Sequence, residues 1–448
     1  MKRKIYEDIL KWKSNSAGRT ALLIDGTRLV GKSYVAKQFA IAEYKSYILI
    51  DFSKAPKKVI KLFFSCTDDT DAFFKSLSDF YKTELFERET LIILDKVQLC
   101  PCARSAINHL VADGRYDYIE TGTLIPDKKR GKDILPVEEY LKMYPMDFEE
   151  FLGAMGEDDL MPVVRTCYEK KQPLRRELHQ RAMDYFRRYM IVGGMPQAVG
   201  KYAETFNFDS VDWIKREILE LYRSDIAKCA GRNRIRTEQV FESIPSQLQK
   251  NNKKFKLSLL KEKARLRDYE DAFLRLSDAM IAFICCNSTV SDAGLSLNGD
   301  RQTFKCYMGD TGLLISHAFD ENEIKGREIY KRLMSEKPDV GRGMIVENIV
   351  AQMLMTGGHE LCYYFNGADS DAAERMNIDF LIADKKISGC NNISPIEVKS
   401  GRNYTLTSLL KFREKFAEQT GTLYVLHSDN LKEENGIVYL PLYMTPLL

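Results

Sequence analysis

The chain has 448 residues, of which 44% are hydrophobic and 29% are charged. Its 67 Lys and Arg residues nearly balance its 64 Asp and Glu residues, which gives a net charge of +3. This balance provides no general argument for a nucleic-acid-coating or membrane-surface protein. No apolar run approaches membrane-spanning length, so we expect no membrane partner. A chain this long should contain two or three domains, each with its own core.

The cysteines and histidines show no metal-binding spacing. The ten cysteines are scattered along the chain, and the five histidines are well separated. Neither Cys100-Pro101-Cys102 nor Cys285-Cys286 has the spacing of a zinc site. Residues 1–6 lack the apolar core of a secretion signal. We therefore expect reduced thiols and a cytoplasmic protein.

The first third of the chain alternates between two periodicities. A charged helix anchored by Trp12 is expected within residues 1–19. Strand-like apolar runs follow at residues 21–25, 46–51, 90–95 and 116–121, with helical stretches between them. This alternation predicts a parallel sheet flanked by helices. Residues 126–140 are rich in Lys, Asp and Pro, and we expect them to form an exposed loop.

A glycine-rich segment joins the first predicted strand to the next helix. Residues 26–33 match the pattern G-x-x-x-x-G-K-S, which cradles phosphates when it lies between a strand and a helix. The helix N-terminus would direct its N–H groups at the same phosphate oxygens. Lys32 would contact the β- and γ-phosphates of ATP, and Ser33 would bind Mg²⁺. The remaining predicted cofactor-binding residues of this loop are Gly26, Thr27, Arg28, Val30 and Gly31.

An acid follows the buried strand predicted at residues 90–95. Asp95 would hold Mg²⁺ beside Ser33. The next residue is Lys96, where ATPases of this kind usually place a Glu that activates water. A charged lysine has no acceptor for a proton. Binding of ATP is therefore supported more firmly than its hydrolysis, although Glu120 is a candidate substitute base.

Other residues near this region have open assignments. A hydroxyl from Thr121-Gly122-Thr123 could lie near the γ-phosphate, and an ordinary strand-ending turn explains the triplet as well. An arginine from a neighbouring subunit can complete a nucleotide site, but we expect Arg104 and Arg115 to be solvated surface residues.

The middle of the chain is mostly helical. Residues 175–228 have helical periodicity that is broken at Gly193-Gly194-Met195-Pro196. Short amphipathic helices and strand-like pieces in residues 235–316 fit a winged-helix module. The basic stretch from Lys250 to Lys263 could contact nucleic acid, and a solvated helix face is the alternative. Residues 318–341 are polar, and we expect a linker there.

The last hundred residues contain a second candidate site. Glu347 lies on a predicted helix, Asp379 lies on a strand, and Glu397 and Lys399 share one face of the next strand. This order is the core of restriction-endonuclease-like folds. The carboxylates could bind Mg²⁺, and Lys399 could orient water. A nuclease-like domain used only for binding or packing is the alternative.

Seven segments together resemble one family. They are G-T-R-L-V-G-K-S, L-D-K-V-Q-L-C-P, Y-P-M-D-F-E-E-F-L, V-G-G-M-P-Q-A-V, S-I-P-S-Q-L, G-D-T-G-L-L and I-E-V-K-S-G, which begin at residues 26, 94, 144, 192, 243, 309 and 396. The chain resembles prokaryotic AAA-type ATPases that carry a C-terminal domain of unknown function. The resemblance places Gly31, Lys32 and Ser33 on the nucleotide loop and Asp95 on the magnesium acid. Lys96 departs from the usual Glu of that family.

These observations predict an α/β multidomain protein with a P-loop parallel sheet, a winged-helix middle and a restriction-endonuclease-like C-terminal domain. The expected ranges are 1–160, a helical connector at 161–230, then 231–320 and 340–448. We expect an AAA-like protein that binds ATP or ADP with Mg²⁺ and couples binding to the C-terminal domain. The alternatives are a nucleotide-gated nuclease and a non-hydrolysing scaffold. DNA or RNA bound through the C-terminal half, and further copies of the chain, are the candidate macromolecular partners.

Overall fold

The computed structural model describes residues 2–65, 69–123, 135–228, 231–250, 253–288, 299–319, 323–334, 342–367, 374–383, 393–401 and 404–448. Two compact units are present. Unit 1 comprises Met1–Tyr144 with Asp278–Met280, and unit 2 comprises Pro145–Ser277 with Ile281–Leu448. The finer division into four domains stays a prediction. A search of the described helices for one of sufficient length and apolarity to span a bilayer finds none.

Unit 1 alternates helices and strands. Its helices are α1 (Ile5–Ser16), α2 (Lys32–Glu43), α3 (Lys57–Ser65), α4 (Thr70–Tyr81) and α5 (Pro101–Asp113). Its strands are β1 (Ala21–Gly26), β2 (Ser46–Asp51), β3 (Thr90–Asp95), β4 (Asp117–Gly122) and β5 (Glu138–Met143). A short 3₁₀ turn, Val97–Leu99, connects β3 to α5.

The strands of unit 1 form a parallel sheet in the order β2-β3-β4-β1-β5. All side chains of β1 and β3 are buried, as expected for strands covered on both faces. The four strands predicted from the sequence are confirmed within a residue or two. The predicted loop at 126–140 is wrong at its end, because β5 begins at Glu138; residues 124–134 lie outside the described residues.

Helices cover both faces of this sheet. On one face, α2 packs Val35, Ala36 and Phe39 against β-strand residues such as Ile24 and Ile93. On the other face, α3, α4 and α5 pack against the alternate residues of the same strands. Because the side chains of a strand alternate between faces, Asp95 lies on the α2 face and Leu94 on the α5 face. This alternation decides which polar side chains can reach the loop before α2.

The helices of unit 2 lie before and between its strands. They are α6 (Phe148–Ala154), α7 (Leu160–Glu169), α8 (Arg176–Val192), α9 (Pro196–Thr205), α10 (Phe208–Ala227), α11 (Gly231–Leu248), α12 (Leu266–Asp278), α13 (Thr311–Ala318), α14 (Glu323–Met334), α15 (Arg342–Thr356) and α16 (Thr407–Lys415). Its strands are β6 (Ala282–Ser288), β7 (Gly299–Met308), β8 (Cys362–Asn366), β9 (Met376–Ala383), β10 (Ile393–Val398), β11 (Leu423–His427), β12 (Lys432–Glu434) and β13 (Ile437–Pro441). Short 3₁₀ turns lie at Leu257–Leu259 and Leu442–Leu447.

The strands of unit 2 form one mixed sheet in the order β12-β13-β11-β10-β9-β8-β6-β7. The hairpin β6–β7, which we assigned to a winged-helix module, therefore shares its sheet with the C-terminal strands through the parallel pair β6–β8. The winged-helix assignment stays a prediction. The helix break predicted at 193–196 is confirmed, since α8 ends at Val192 and α9 begins at Pro196.

The linker predicted at residues 318–341 is wrong over part of its length. Residues 323–334 form α14, and within that helix Tyr330 and Leu333 are buried. The Tyr330 hydroxyl also donates a hydrogen bond of 2.6 Å to Asp212 on α10. The polar composition of the segment concealed these inward-facing residues. Residues 320–322 and 335–341 lie outside the described part of the chain.

Candidate nucleotide site and C-terminal polar cluster

The loop between β1 and α2 is shaped by its two glycines. Gly31 has a φ of +102°, a backbone conformation that glycine adopts without steric cost. A Cβ on Gly26 would lie 2.3 Å from the carbonyl oxygen of Met143 on β5, so only glycine fits beside that strand. The α2 helix starts directly after Gly31, and the N–H groups of its first turn have no acceptors within the helix. The loop is therefore a backbone cradle at a helix N-terminus.

Lys32 lies folded into this cradle. Its Nζ donates to the carbonyl oxygen of Gly26 at 2.7 Å and to that of Thr27 at 2.8 Å. Burial lowers the pKa of Lys32 to about 8, although the carboxylates of Asp25 and Asp95 oppose this shift. The ammonium is thus held by weak neutral acceptors in a desolvated position. A phosphate at the mouth of the loop would be a stronger partner for it.

Ser33 and Asp95 meet as the sequence predicts. The Ser33 hydroxyl donates a 2.6 Å hydrogen bond to Asp95 Oδ1, and the Thr121 hydroxyl donates to the same oxygen. Thr123 donates to the Gly26 carbonyl oxygen at 2.8 Å. Hydroxyl and carboxylate oxygens are the donors that Mg²⁺ prefers, so Ser33 and Asp95 fit that ion. Both hydroxyls of the Thr121-Gly122-Thr123 triplet contact site residues, which favours its assignment to the site over an ordinary turn.

The other predicted loop residues differ in burial. Thr27 and Val30 are buried, whereas Arg28 is exposed. Arg3, which the sequence analysis missed, donates from Nη1 to the Val30 carbonyl oxygen at 2.7 Å and from Nη2 to that of Tyr144 at 2.7 Å. This guanidinium ties the loop to the end of β5. A lone Arg in a charged N-terminal segment gives no sequence signal for such a contact.

Lys96 is paired with a carboxylate on the neighbouring strand. Its Nζ lies 2.9 Å from each carboxylate oxygen of Asp51 and 2.8 Å from the Ser53 hydroxyl oxygen. Asp51 is the last residue of β2 and is the register partner of Asp95. Asp51 was not among the residues predicted from the sequence. Its position after an apolar run, like that of Asp95, was the signal that could have found it.

Glu120 is not placed to act as a substitute base. It is fully buried, and Arg104 Nη1 lies 2.5 Å from its Oε2. Glu120 is the register partner of Leu94, so it lies on the α5 face, away from Asp95. The expected surface role of Arg104 is also wrong, because its side chain is 13% exposed and pairs with Glu120 and Glu138. Arg115 is partly exposed and pairs with Asp113 and Asp71.

In unit 2, Glu347 on α15 is surrounded by cations. The Lys305 Nζ donates a 2.9 Å hydrogen bond to Glu347 Oε1, and the Tyr307 hydroxyl donates to the same oxygen at 2.5 Å. Lys253 donates to Oε2. Burial favours the neutral carboxyl, but Lys253 and Lys305 outweigh this effect and lower the pKa of Glu347 to about 2. Sequence spacing gives no signal for these partners, because Lys253 and Lys305 come from distant segments.

The other three predicted residues of the C-terminal site lie at neighbouring positions. Asp379 on β9 is one residue beyond the Ile396–Phe380 register pair, which places it beside Glu397 of β10. Asp379 Oδ2 accepts a 2.9 Å hydrogen bond from the Val398 amide. Lys399 forms an ion pair with Glu397. The helix that carries Glu347 and the strands that carry Asp379 and Glu397 are therefore confirmed, whereas Lys399 follows the end of β10. The catalytic roles of these four residues stay a prediction.

The cluster does not have the donor set of a metal centre in the described structure. Within the described ranges, no group of three or more His, Cys, Asp or Glu side chains is arranged to hold a metal ion. Glu347 is directed at ammonium groups instead. The basic stretch at 250–263 contributes Lys253 to this interior contact, while residues 251–252 lie outside the described chain. The Glu347 end of the predicted nuclease site is therefore paired with two ammonium groups.

Comparisons with known families match three segments of the chain. Residues 18–152 match the model of an AAA domain. Residues 183–323 and 342–444 match two models that are each described as a domain of unknown function. A comparison with curated proteins found no match.

Solved structures give weak similarities over longer stretches. A Walker-type ATPase of Pyrococcus abyssi is 13% identical, with a TM-score of 0.42, over 70% of this chain and 95% of that chain. A signal-transduction ATPase with a tetratricopeptide-repeat sensor from Pyrococcus horikoshii is 10% identical, with a TM-score of 0.27, over 80% and 49% of the respective chains. The five-stranded parallel sheet of unit 1 lies within residues 18–152, the segment that is similar to an AAA domain.

Proposed function

We propose that unit 1 binds ATP with Mg²⁺ in the loop between β1 and α2 and hydrolyses it slowly. One observation carries this proposal: the Lys32 ammonium lies inside the cradle, next to the Ser33–Asp95 pair. The cradle supplies N–H groups for phosphate oxygens, and Lys32 supplies a positive charge. When bound, Mg²⁺ would offset phosphate charge, with Ser33 and Asp95 as its protein partners.

The protein residues would act by placement and charge. Lys32 would exchange two carbonyl acceptors for phosphate oxygens, a change from neutral to negatively charged acceptors. Thr121 would hold Asp95 in position through its hydroxyl. Lys96 cannot accept a proton from water, so we expect turnover to be slow.

A nucleotide titration tests this function. Isothermal titration of the full chain with ATP and Mg²⁺ should give saturable binding, and Lys32→Ala should weaken it at least about tenfold, since a charge-assisted contact is worth about 1.5–3 kcal/mol. Lys37→Ala, on the same helix but outside the loop, is the matched control. Equal affinities of the wild-type chain and Lys32→Ala would refute the proposal.

We further propose that unit 2 responds to the nucleotide bound by unit 1. Bound nucleotide would bias the position of the C-terminal region, and DNA, RNA or a further copy of the chain would be the partner that reads this change. An ATP-stabilised scaffold predicts a melting shift with no phosphate release. The nuclease alternative predicts Mg²⁺-dependent cleavage that Asp379→Ala and Lys399→Ala abolish. The lysines around Glu347 weigh against this alternative.

A further inference from the structure

The carboxylate of Asp51 lies at the same sheet edge as the magnesium acid. Asp51 and Asp95 end adjacent parallel strands and are register partners. Neighbouring parallel strands are about 4.8 Å apart, and ligands of open α/β sheets bind outside the carboxyl ends of their strands. The Asp51 side chain is 20% exposed, so water can reach it. Asp51 therefore lies one strand from Asp95, at the same carboxyl edge of the sheet.

The hydrogen bonds of Asp51 leave one oxygen better placed to accept a proton. Oδ1 accepts from Lys96 at 2.9 Å, from the Ser53 amide at 2.9 Å and from the Ser53 hydroxyl at 2.6 Å. Oδ2 accepts from Lys96 at 2.9 Å. Among the described residues Oδ2 accepts one hydrogen bond, so it has capacity for a water molecule. The partners of Oδ1 fix the orientation of the carboxylate.

We infer that Asp51 is the catalytic base of this chain and takes the role that a Glu at position 96 would have had. The inference rests on the proposed ATP binding. Water attacks the terminal phosphorus, the bond from that phosphorus to the bridging oxygen breaks, and ADP leaves with the electron pair. The proton of the attacking water passes to Asp51 Oδ2 and then to solvent. The Ser53 amide and hydroxyl, which donate to Oδ1, hold the Asp51 carboxylate in position.

The ion pair between Lys96 and Asp51 explains why turnover should be slow. Burial raises the pKa of Asp51, but the hydrogen bonds from Lys96 and Ser53 outweigh burial and hold that pKa below its ordinary value. A carboxylate with a lowered pKa is a weaker base. Removing the Lys96 ammonium should therefore make Asp51 a better base and raise the rate.

Single-turnover and steady-state phosphate release, measured alongside ATP titrations, test this inference. Asp51→Asn should lower kcat about 100-fold, the lower end of the range for losing a general base, with ATP affinity unchanged within about twofold. Asp51→Glu should retain most of the activity. Lys96→Met should raise kcat several-fold. Asp8→Asn, which removes another lysine-paired aspartate on the α1 surface, should match the wild type.

The outcomes separate this inference from the function on which it rests. Wild-type turnover by Asp51→Asn would overturn the catalytic role of Asp51. Tight ATP binding without turnover in both the wild type and Lys96→Met would overturn it as well. Should Asp51→Asn fail to fold, Lys96→Met decides, because an unchanged or lower rate in that variant contradicts the inference. Absence of ATP binding in the wild type would overturn both proposals.

Discussion

Glu347→Gln tests whether the polar cluster of unit 2 is held together by ion pairs. The substitution keeps the shape of the side chain but removes the charge that faces Lys253 and Lys305. Glu347 is 3% exposed, and the Lys305 side chain is 2% exposed. The variant would leave a buried ammonium without its counter-ion. Such losses cost about 3–5 kcal/mol in folding free energy.

The pKa of Glu347 gives a second estimate of this magnitude. That pKa is about 2 in the folded chain and 4.5 for an ordinary glutamate. The difference corresponds to about 3 kcal/mol. Since the folded-state pKa is lowered, the stabilisation is fully present above about pH 4.5 and is lost as the pH falls toward 2. The difference in unfolding free energy between the wild type and Glu347→Gln should therefore shrink in acid.

Hydrogen exchange in increasing urea reports on this region alone. Peptides from Arg342–Thr356 and from Gly299–Met308 should lose about 3 kcal/mol of protection at pH 7 in Glu347→Gln. Glu414→Gln, on the exposed side of α16, is the matched control and should change protection by less than about 0.5 kcal/mol. Equal protection of the two variants at pH 7 would refute the ion-pair account of the cluster.

Three further predictions concern unit 1. ATP affinity should fall by up to about tenfold per pH unit above pH 8, because free Lys32, with a pKa of about 8, must take up a proton to bind phosphate; titrations from pH 7 to 9.5 check this. Gly26→Ala should abolish ATP binding in the same titration, because its Cβ would lie 2.3 Å from a carbonyl oxygen of β5, whereas Gly401→Ala, in open space, should leave binding unchanged. Glu120→Gln should lower the melting temperature because it weakens the buried pair with Arg104, yet phosphate release per folded molecule should match the wild type; a selective loss of kcat would restore Glu120 as the base.

The sequence predicted the loop between β1 and α2 and the strand that ends at Asp95 because their signals are local. Gly31, Lys32 and Ser33 lie within one loop, and the continuous apolar run before Asp95 marks a buried strand whose end must face that loop. Asp51 ends a similar apolar run and was missed, although that run was a usable signal. The exclusion of Glu120 required the register of β4 against β3, which decides the face of the sheet on which a side chain lies.

In unit 2 the elements were predictable, but their partners were not. The helix carrying Glu347 and the strands carrying Asp379 and Glu397 follow from periodicity. Lys253 and Lys305 are separated from Glu347 by tens of residues, and only the packing of β7 against α15 brings Lys305 to it. Polar composition also concealed α14, whose few buried aromatic and aliphatic residues are spread over a charged segment. Long-range charge pairing is the information that a single sequence lacks.

The most direct test of the central claim is a structure of the full chain with Mg²⁺ and a non-hydrolysable ATP analogue. We predict that the triphosphate lies in the loop, that the Lys32 Nζ moves from the carbonyl oxygens of Gly26 and Thr27 to phosphate oxygens, and that Ser33 and Asp95 face the ion. A saturated complex in which Lys32 still binds those two carbonyl oxygens, with the nucleotide elsewhere, would contradict the account.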